Sequence, residues 1–406
     1  MLRNPRLIFG AQLFIFWLSG LSLLAGTQGK SNNDSLQPGE SDQPYHVIEL
    51  EMSTAHYKKV QSAQGQKLYL ENTTLKFNGK PVSLKEIHLH GKSTLYYERK
   101  SFSVDASEKI KICKEGCKPM DAFYLVSLSM DRNYFHNRLC FDLLKELNLF
   151  HLQYKYAEVK INGNSQGIYL LLQRPQDWSI KTVESPSIIR RGLNHVIDKQ
   201  RFEKGIDKNT AKVYRHQFNS IYKLIDQYSG EDLYARLNEI LHVEDYLRWL
   251  AFNYIVRDGD YSDELYFYID PKTKRFRIIP WDYDDIFKAG PHEGIEVWKS
   301  KMDPSSLIFS AEDELDVKIA HDPYLYDQYL RCLSSVMEEL KEEKVESVVN
   351  KIYEDLSPLF KSDEIIQAAS KDGYKTSLEN LRVDIVSVNQ YFNNMRATLI
   401  KKNVIK

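Results

Sequence analysis

Cysteine is scarce in this chain. Four of its 406 residues are cysteines, at positions 113, 117, 140 and 332. A structural zinc site takes four ligands at recognisable spacings, and no second pair of ligands accompanies Cys113 and Cys117. Free or locally disulfide-bonded cysteines are therefore expected. Cys113 and Cys117 flank only three residues, so a disulfide between them would close a small loop. The oxidising conditions outside the cytoplasm permit such a bond.

An excess of charge of one sign is also absent. The 55 Lys and Arg residues nearly balance the 56 Asp and Glu residues, which gives a formal net charge of −1. Proteins that bind nucleic acid or anionic membranes by bulk electrostatics carry a clear positive excess. We therefore predict no nucleic-acid partner. A hydrophobic content of 42% and a charged content of 27% are typical of a globular protein with one large or two ordinary domains.

No long hydrophobic run follows residue 25. Before it, Arg3 and Arg6 precede a largely apolar stretch at residues 7–25, the pattern of an export signal. Residues 1–27 are predicted to be a signal peptide, cleaved near residues 25–29, or an uncleaved anchor, since the run is just long enough to span a membrane. The polar residues 28–44 are predicted to be a linker. The protein is expected to be exported, in an extracytoplasmic, periplasmic or cell-surface location, and to touch a membrane only through an uncleaved N-terminal segment.

The hydrophobic pattern changes its period near residue 175. Before that point it favours strands and one helix; after it, helices dominate. An Asn-Gly pair at residues 162–163 indicates a hairpin. The predicted strands are 46–52 (as an edge strand), 67–78, 87–90, 155–161 and 167–172, with a helix at 134–148; the later helices are 210–228, 231–241, 243–256, 324–343, 345–360 and 375–402. This order predicts an α+β protein with a β-rich N-lobe at residues 45–175, a helical C-lobe at 176–406, and a ligand cleft between them.

Carboxylates cluster around one predicted hairpin, at residues 258–285. A loop with Asp258, Asp260, Asp263 and Glu264 precedes an aromatic strand, and a turn leads to a second strand that ends in Pro-Trp-Asp-Tyr-Asp. Because a hairpin brings its two ends together, the loop should meet Asp282 and Asp284. Crowded carboxylates repel one another unless a proton or a cation is held between them, and oxygen-only ligands suit Mg²⁺ or Mn²⁺. We expect Trp281, at the end of an apolar strand, to be packed.

Three consecutive segments resemble the spore-coat protein H (CotH) kinase family. They are residues 253–260 (Asn-Tyr-Ile-Val-Arg-Asp-Gly-Asp), the aromatic strand, and the end of the hairpin at residues 279–284 (Ile-Pro-Trp-Asp-Tyr-Asp). The likeness extends over nearly the whole chain after residue 45. It implies a two-lobed protein-kinase-like fold and the activity of an exported atypical protein kinase. The implied partners are ATP, with Mg²⁺ or Mn²⁺, and a protein substrate phosphorylated on Ser or Thr, the kinase itself included.

The resemblance also assigns roles to residues. Asp260 would be the catalytic base, and Asp282 the main metal ligand with Asp284 and Glu264 in support. Asp258 and Asp263 would be solvated. The nucleotide-binding residues would be Gly91, Ser93, Thr94, Lys100 and Gln173. Lys100 would face Asp282 across the cleft, and Gln173 would lie at the junction of the lobes.

Two positions depart from the family pattern. Gln173 replaces a Glu that would pair with Lys100, which leaves Glu158 as a substitute partner, and Glu264 replaces an Asn metal ligand. These departures keep open a catalytically weak or inactive structural protein of the cell envelope or coat. A third reading is a polysaccharide hydrolase that uses Asp260 and Asp282 as acid and base, but it gives Lys100 no purpose.

Overall fold

The computed structural model describes residues 44–131, 134–372 and 377–405. The predicted signal or anchor at 1–27 and nearly all of the predicted linker at 28–44 lie outside these ranges. Among the helices of the described ranges, none has both the length and the apolar character that a membrane span requires.

The N-terminal lobe is a curled antiparallel-rich sheet with two helices. Its elements are β1 (His46–Glu51), α1 (Thr54–Ser62), β2 (Thr74–Phe77), β3 (Lys80–Val82), β4 (Leu84–His90), β5 (Ser101–Ile110), β6 (Met120–Val126), α2 (His136–Glu146), β7 (Tyr154–Ile161) and β8 (Asn164–Gln173). The strand order is β3-β2-β1-β7-β8-β6-β5-β4. Only Ser83 separates the strands at the two ends of this order, so the sheet curls until its edges approach each other.

The first strand is interior, so the prediction of an edge strand at residues 46–52 is wrong. β1 pairs with β2 on one side and runs parallel to β7 on the other. Its alternating hydrophobic pattern reports one buried face, and that pattern is the same for an edge strand and for an interior strand. The helix α1 was also missed, because Val60 is its one fully buried residue and its pattern is weakly amphipathic.

The two faces of the sheet bury different clusters. Phe102, Val104 and Leu171 belong to a cluster inside the curl. Tyr156 and Leu170 belong to the larger core that α2 and the C-terminal lobe complete. Because successive side chains of a strand point to opposite faces, each strand contributes to both clusters.

The C-terminal lobe is mainly helical, as predicted. Its helices are α3 (Pro175–Lys181), α4 (Lys208–Gln227), α5 (Gly230–Ile240), α6 (Val243–Val256), α7 (Ile295–Lys301), α8 (Glu314–His321), α9 (Pro323–Glu339), α10 (Glu342–Phe360), α11 (Asp363–Ala369) and α12 (Leu378–Lys401). The six helices predicted in this half correspond to α4, α5, α6, α9, α10 and α12. The short helices α3, α7, α8 and α11 were not predicted.

A second sheet holds the carboxylate hairpin. It consists of β9 (Ser187–Arg191), β10 (Ile197–Phe202), β11 (Leu265–Ile269) and β12 (Phe276–Pro280), in the order β10-β9-β11-β12. The predicted hairpin is confirmed, with Leu265 opposite Pro280 and Ile269 opposite Phe276. The strands β9 and β10 were not predicted. Elsewhere, Cys113 and Cys117 form a disulfide, while Cys140 is free and buried.

The C-terminal helices bind the N-terminal lobe through buried polar contacts. The fully buried Arg99 guanidinium lies 2.6 Å from the Asp372 carboxylate. Arg138 of α2 pairs with Asp355 of α10 at 3.0 Å. At Gly167, a Cβ atom would lie 2.6 Å from the backbone nitrogen of Ala369, so α11 packs directly on the backbone of β8. These contacts hold the two lobes in a fixed relation around the cleft.

Trp281 is packed, as the sequence predicted. It is 7% exposed and contacts the rings of Tyr124, Phe141 and Tyr266. We expect Trp281→Ala to lower the free energy of unfolding by about 3 to 5 kcal/mol, because it removes a large buried side chain and leaves a cavity. Urea denaturation measures this change. Val383→Ala on the exposed face of α12, where Val383 is 63% exposed, is the control and should change stability little. Equal effects of the two substitutions would contradict the packed position of Trp281.

Candidate functional site

The hairpin brings the predicted carboxylates to one end. The backbone N–H of Trp281 donates to the carbonyl of Glu264 at 3.0 Å, which places the last residue of the loop beside the end of β12. Asp282 and Asp284 follow directly. The structure therefore gathers Glu264, Asp282 and Asp284 at the inner side of the cleft.

Asp282 and Asp284 line a small cavity between the lobes. The cavity holds about 70 Å³, and Gly91 and Thr94, from the loop after β4, lie on its wall. Phosphate-binding loops use glycine because a backbone without Cβ can approach a ligand closely. Gly91 has a φ of +110°, and a Cβ atom there would lie 2.0 Å from the Thr94 hydroxyl oxygen. Only glycine fits this position.

Burial makes the two carboxylates expensive to ionise. It raises the pKa of Asp282 to about 6, with the nearby Asp260 adding to the rise and Arg190 opposing it. Burial and the charge of Asp282 also raise the pKa of Asp284. Asp282 has a φ of +50°, a left-handed conformation that is uncommon outside glycine and concentrates at functional sites. The backbone thus holds the Asp282 side chain in place despite the unfavourable environment.

Asn137 positions the Asp282–Asp284 segment from α2. Its side-chain oxygen accepts a hydrogen bond from the backbone N–H of Tyr283 at 2.8 Å. The buried Asp131 caps the start of α2 by accepting from the N–H groups of His136 and Asn137, both at 2.8 Å. Asn137 was not predicted as a site residue, although an Asn on the buried face of an apolar helix is a signal for such a role.

Lys100 does not lie where the sequence predicted. Its ammonium group donates to the carbonyl of Leu95 at 2.6 Å and to that of Tyr97 at 2.5 Å. It does not line the cavity that contains Asp282, whereas its neighbour Ser101 does. The reason is strand alternation: Lys100 shares its face with Phe102, which is buried inside the curl, and Ser101 takes the face toward the cleft.

The other predicted nucleotide-binding residues are spread around the cleft. Ser93 is exposed at the start of the 3₁₀ turn Ser93–Tyr96. Gln173 is buried at the end of β8, and its side-chain oxygen accepts from Gln153 rather than meeting Lys100. Glu158, the substitute partner for Lys100, instead lies 3.6 Å from Lys160.

Glu264 forms an ion pair with an arginine. Both of its carboxylate oxygens accept from one terminal nitrogen of Arg190, at 2.6 and 2.5 Å. Burial raises the pKa of Glu264, and Asp282 raises it further, while Arg190 opposes the rise. Arg190 was not predicted as a site residue. Its signal was a pair of arginines at the end of a short apolar strand, Ser-Ile-Ile-Arg-Arg.

Asp260 is accessible to solvent, with 44% of its side chain exposed. Its Oδ1 lies 3.4 Å from Nδ1 of His292, and this nitrogen is 3.9 Å from Glu312. Donor atoms of these three side chains lie within 4.8 Å of one another, so they could also hold a cation. Burial raises the pKa of Asp260, and His292 opposes the rise. His292 was not predicted as a site residue.

Asp258 is buried, so the expectation that it is solvated is wrong. Its side chain is fully enclosed, and Oδ1 accepts from the backbone N–H of Asp260 at 3.2 Å. Oδ2 has no hydrogen-bond partner, and burial raises the pKa of the group well above its usual range. Asp258 therefore shapes the loop that carries Asp260. Asp263 is half-buried.

A larger cavity adjoins the small one and is strongly basic. It holds about 530 Å³ and shares His90 and Gly91 with the small cavity. Among the described residues, its lining contains no carboxylate side chain, and its cations are Lys67, Arg174, Arg190, Lys199 and Arg201. The ring of Tyr124 stacks on His90 at 3.9 Å, and Tyr266 and Ile188 complete an apolar floor. Burial and the nearby cations lower the pKa of His90 to about 3, so its ring is neutral.

Comparison with protein families gives one match over most of the chain. The model of the family described as "CotH kinase protein" matches residues 87–391. The chain is also 22% identical over 254 residues to the inner spore coat protein H of Bacillus subtilis (strain 168), which covers 57% of this chain and 67% of that protein.

Two solved structures show a weaker likeness. One is the Helicobacter pylori proinflammatory kinase CtkA, with 10% identity, 71% of this chain and 94% of that chain covered, and a TM-score of 0.32. The other is the HipA, HipB and operator DNA complex of Shewanella oneidensis MR-1, with 10% identity, coverages of 86% and 76%, and a TM-score of 0.30.

The raised pKa of Asp282 predicts a pH dependence of stability. A carboxyl group whose pKa is near 4 in the unfolded chain and about 6 in the folded one destabilises the fold increasingly as the pH rises from 4 to 6. Asp282→Asn removes this ionisation. Without divalent cations, the variant should gain stability relative to the wild type over this interval and keep the advantage at pH 7.

Urea denaturation of both proteins from pH 3.5 to 7.5 measures the difference. Added Mg²⁺ should stabilise the wild type at pH 7 and the variant much less. A stability difference that does not change with pH would show that Asp282 ionises normally.

Proposed function

This chain belongs to the CotH kinase protein family, and we propose that it is an exported atypical protein kinase. In this proposal it transfers the γ-phosphate of ATP to a Ser or Thr hydroxyl of a protein, with Mg²⁺ or Mn²⁺. The observation that carries the proposal is the small cavity in which Asp282 and Asp284 meet Gly91 and Thr94. Carboxylates for a cation and a glycine loop for phosphate are the parts that phosphoryl transfer requires.

The chemistry of the site fits a divalent cation. Asp282 and Asp284 are half-buried, their pKa values are raised, and no lysine or arginine of the described ranges lies within 4.0 Å of either carboxylate. A bound Mg²⁺ or Mn²⁺ would neutralise both the carboxylates and the phosphates. Glu264, paired with Arg190, would contribute to this cation only if the ion pair opened, so we assign it a supporting position.

Asp260 suits the role of the base. It is exposed enough to meet the hydroxyl of a protein substrate, and the buried Asp258 and the nearby His292 hold its loop and its side chain. When the acceptor oxygen bonds to phosphorus and ADP leaves, Asp260 would accept the hydroxyl proton. The acceptor is a protein, which includes a second molecule of the kinase itself.

Substitutions of the two aspartates should separate nucleotide binding from turnover. Asp282→Asn should weaken binding of Mg²⁺–ATP or Mn²⁺–ATP at least tenfold, because a ligand charge is lost at constant shape. Asp260→Asn should leave nucleotide affinity nearly unchanged and lower the transfer rate about 10²- to 10⁴-fold, because a base acts on the acceptor and not on ATP. Titration calorimetry with nucleotide and transfer of label from γ-labelled ATP measure the two quantities.

The matched control is Asp263→Asn, which removes a carboxylate from the same loop outside both cavities. It should retain affinity and turnover. If the wild type transfers no phosphate and neither substitution alters nucleotide affinity, the kinase proposal fails.

A second candidate is a coat or envelope assembly protein with a weak or inactive site. Two observations favour it: Glu264 is held by Arg190, and Gln173 is bonded to Gln153 instead of Lys100. The relative in Bacillus subtilis carries the name of an inner spore coat protein. A wild-type protein that binds no nucleotide, yet assembles into an envelope or coat structure, would establish this function.

Export is a further part of the proposal, and it rests on the N-terminal sequence alone. Expression of the full chain in its host should yield a protein outside the cytoplasm whose N-terminus lies between residues 25 and 29. Replacing Arg3 and Arg6 by Glu should retain the chain inside the cell, because a signal requires its positive n-region. Cell fractionation and N-terminal sequencing measure the outcome, and an uncleaved membrane-bound chain would indicate an anchor instead.

A further inference from the structure

Two lysines line the mouth of the large basic cavity from different parts of the chain. Lys199 lies on β10, inside the region that the family model matches. Lys67 lies in the segment between α1 and β2, ahead of residue 87, where the match begins. This chain therefore builds part of its cleft from residues that precede the family domain.

The segment that carries Lys67 is held in place by backbone pairing. The N–H of Leu89 donates to the carbonyl of Leu68, and the N–H of Leu70 donates to the carbonyl of Ile87, both at 2.9 Å. Residues 68–70 thus run antiparallel to β4 along its free edge. Gly65 has a φ of +67°, and a Cβ atom there would lie 2.7 Å from the Tyr96 hydroxyl, so the turn before Lys67 packs closely on the loop after β4.

Three of the five cations of the cavity are neutralised by the protein. Arg174 pairs with Asp105 and Asp177, Arg201 with Asp177, and Arg190 with Glu264. Lys67 and Lys199 have no carboxylate within 4.0 Å in the part of the chain that the structure describes.

Lys199 lies in a positive environment. Burial lowers its pKa and the charge of Arg190 lowers it further; Asp198 opposes this fall, and Lys92 and Lys67 add to it. Positive charges that converge on a cavity whose described lining has no carboxylate favour an anionic ligand.

We propose that Lys67 and Lys199 bind the phosphate chain of the nucleotide across the mouth of the large cavity, and that residues 63–70 are part of the nucleotide site of this chain. The inference rests on the proposed kinase function and refines it. Tyr124, Tyr266 and Ile188 provide an apolar floor for a base, and Gly91 lines both cavities, so one ligand can extend from the floor to Asp282. The two ammonium groups take the phosphate-binding role predicted for Lys100, whose ammonium group donates to two backbone carbonyls.

The test compares Lys67→Gln, Lys199→Gln and the double variant with the wild type in the full mature chain. Matched controls are Lys58→Gln on α1 and Lys204→Gln after β10, which remove the same charge at exposed positions outside the cavity. Calorimetry with Mg²⁺–ATP, ADP, adenosine and inorganic triphosphate gives the affinities. Each cavity variant should bind ATP and triphosphate about tenfold more weakly, since a charge-assisted hydrogen bond to phosphate is lost.

Adenosine should bind the cavity variants and the wild type equally, and both control variants should bind ATP as the wild type does. The affinity of the wild type for ATP should also fall more steeply with salt than that of the double variant.

The outcomes separate this inference from the proposed function. If the wild type binds and transfers phosphate from ATP but the lysine variants bind it equally well, the inference fails and the kinase stands. If triphosphate binds through the two lysines but ATP is not turned over, the anion site stands and the kinase proposal fails. If an acidic peptide competes for the lysines while ATP does not, the cavity serves the acceptor, and the assignment to the nucleotide is overturned.

Discussion

The carboxylates at the end of the hairpin impose the constraint on which the rest of the structure depends. The fully buried Asp258 and the half-buried Asp282 and Asp284 lie close together, and desolvation and mutual repulsion raise their pKa values. A folded chain tolerates such a cluster only if other contacts fix it. Here the cluster is held by the pairing of β11 with β12 and by the hydrogen bond from the Tyr283 N–H to Asn137 of α2.

The contacts between the lobes also help to fix the position of the carboxylate cluster. Arg99 with Asp372, Arg138 with Asp355, and α11 packed on Gly167 hold the N-terminal sheet against the C-terminal helices. A buried ion pair is weak evidence for stability, but the removal of one partner leaves an uncompensated charge. These pairs therefore favour one arrangement of the lobes, and with it one distance between Gly91 and the carboxylates.

The charges of the cleft are divided between two adjoining cavities. The small cavity is acidic, with Asp282 and Asp284, and the large one is basic, with no carboxylate among the described residues of its lining. A ligand that carries both phosphates and a divalent cation matches this division, because the cation faces the carboxylates while the phosphates face the lysines. Neither cavity alone would suit such a ligand.

The sequence by itself determined the elements that depend on local pattern. The period of the apolar residues gave the long helices, and the alternation and turn chemistry of residues 258–285 gave the hairpin and the convergence of Asp282, Asp284 and Glu264. Tertiary structure decided what local pattern leaves open. In the curled sheet, β1 is an interior strand and not an edge strand, and Lys100 points toward the carbonyls of Leu95 and Tyr97. The packing of elements distant in the chain brought Lys67, Arg190 and Asn137 to the cleft. The physical reason is that alternation specifies two faces of a strand, while only the packing of the other elements decides which face meets the cleft.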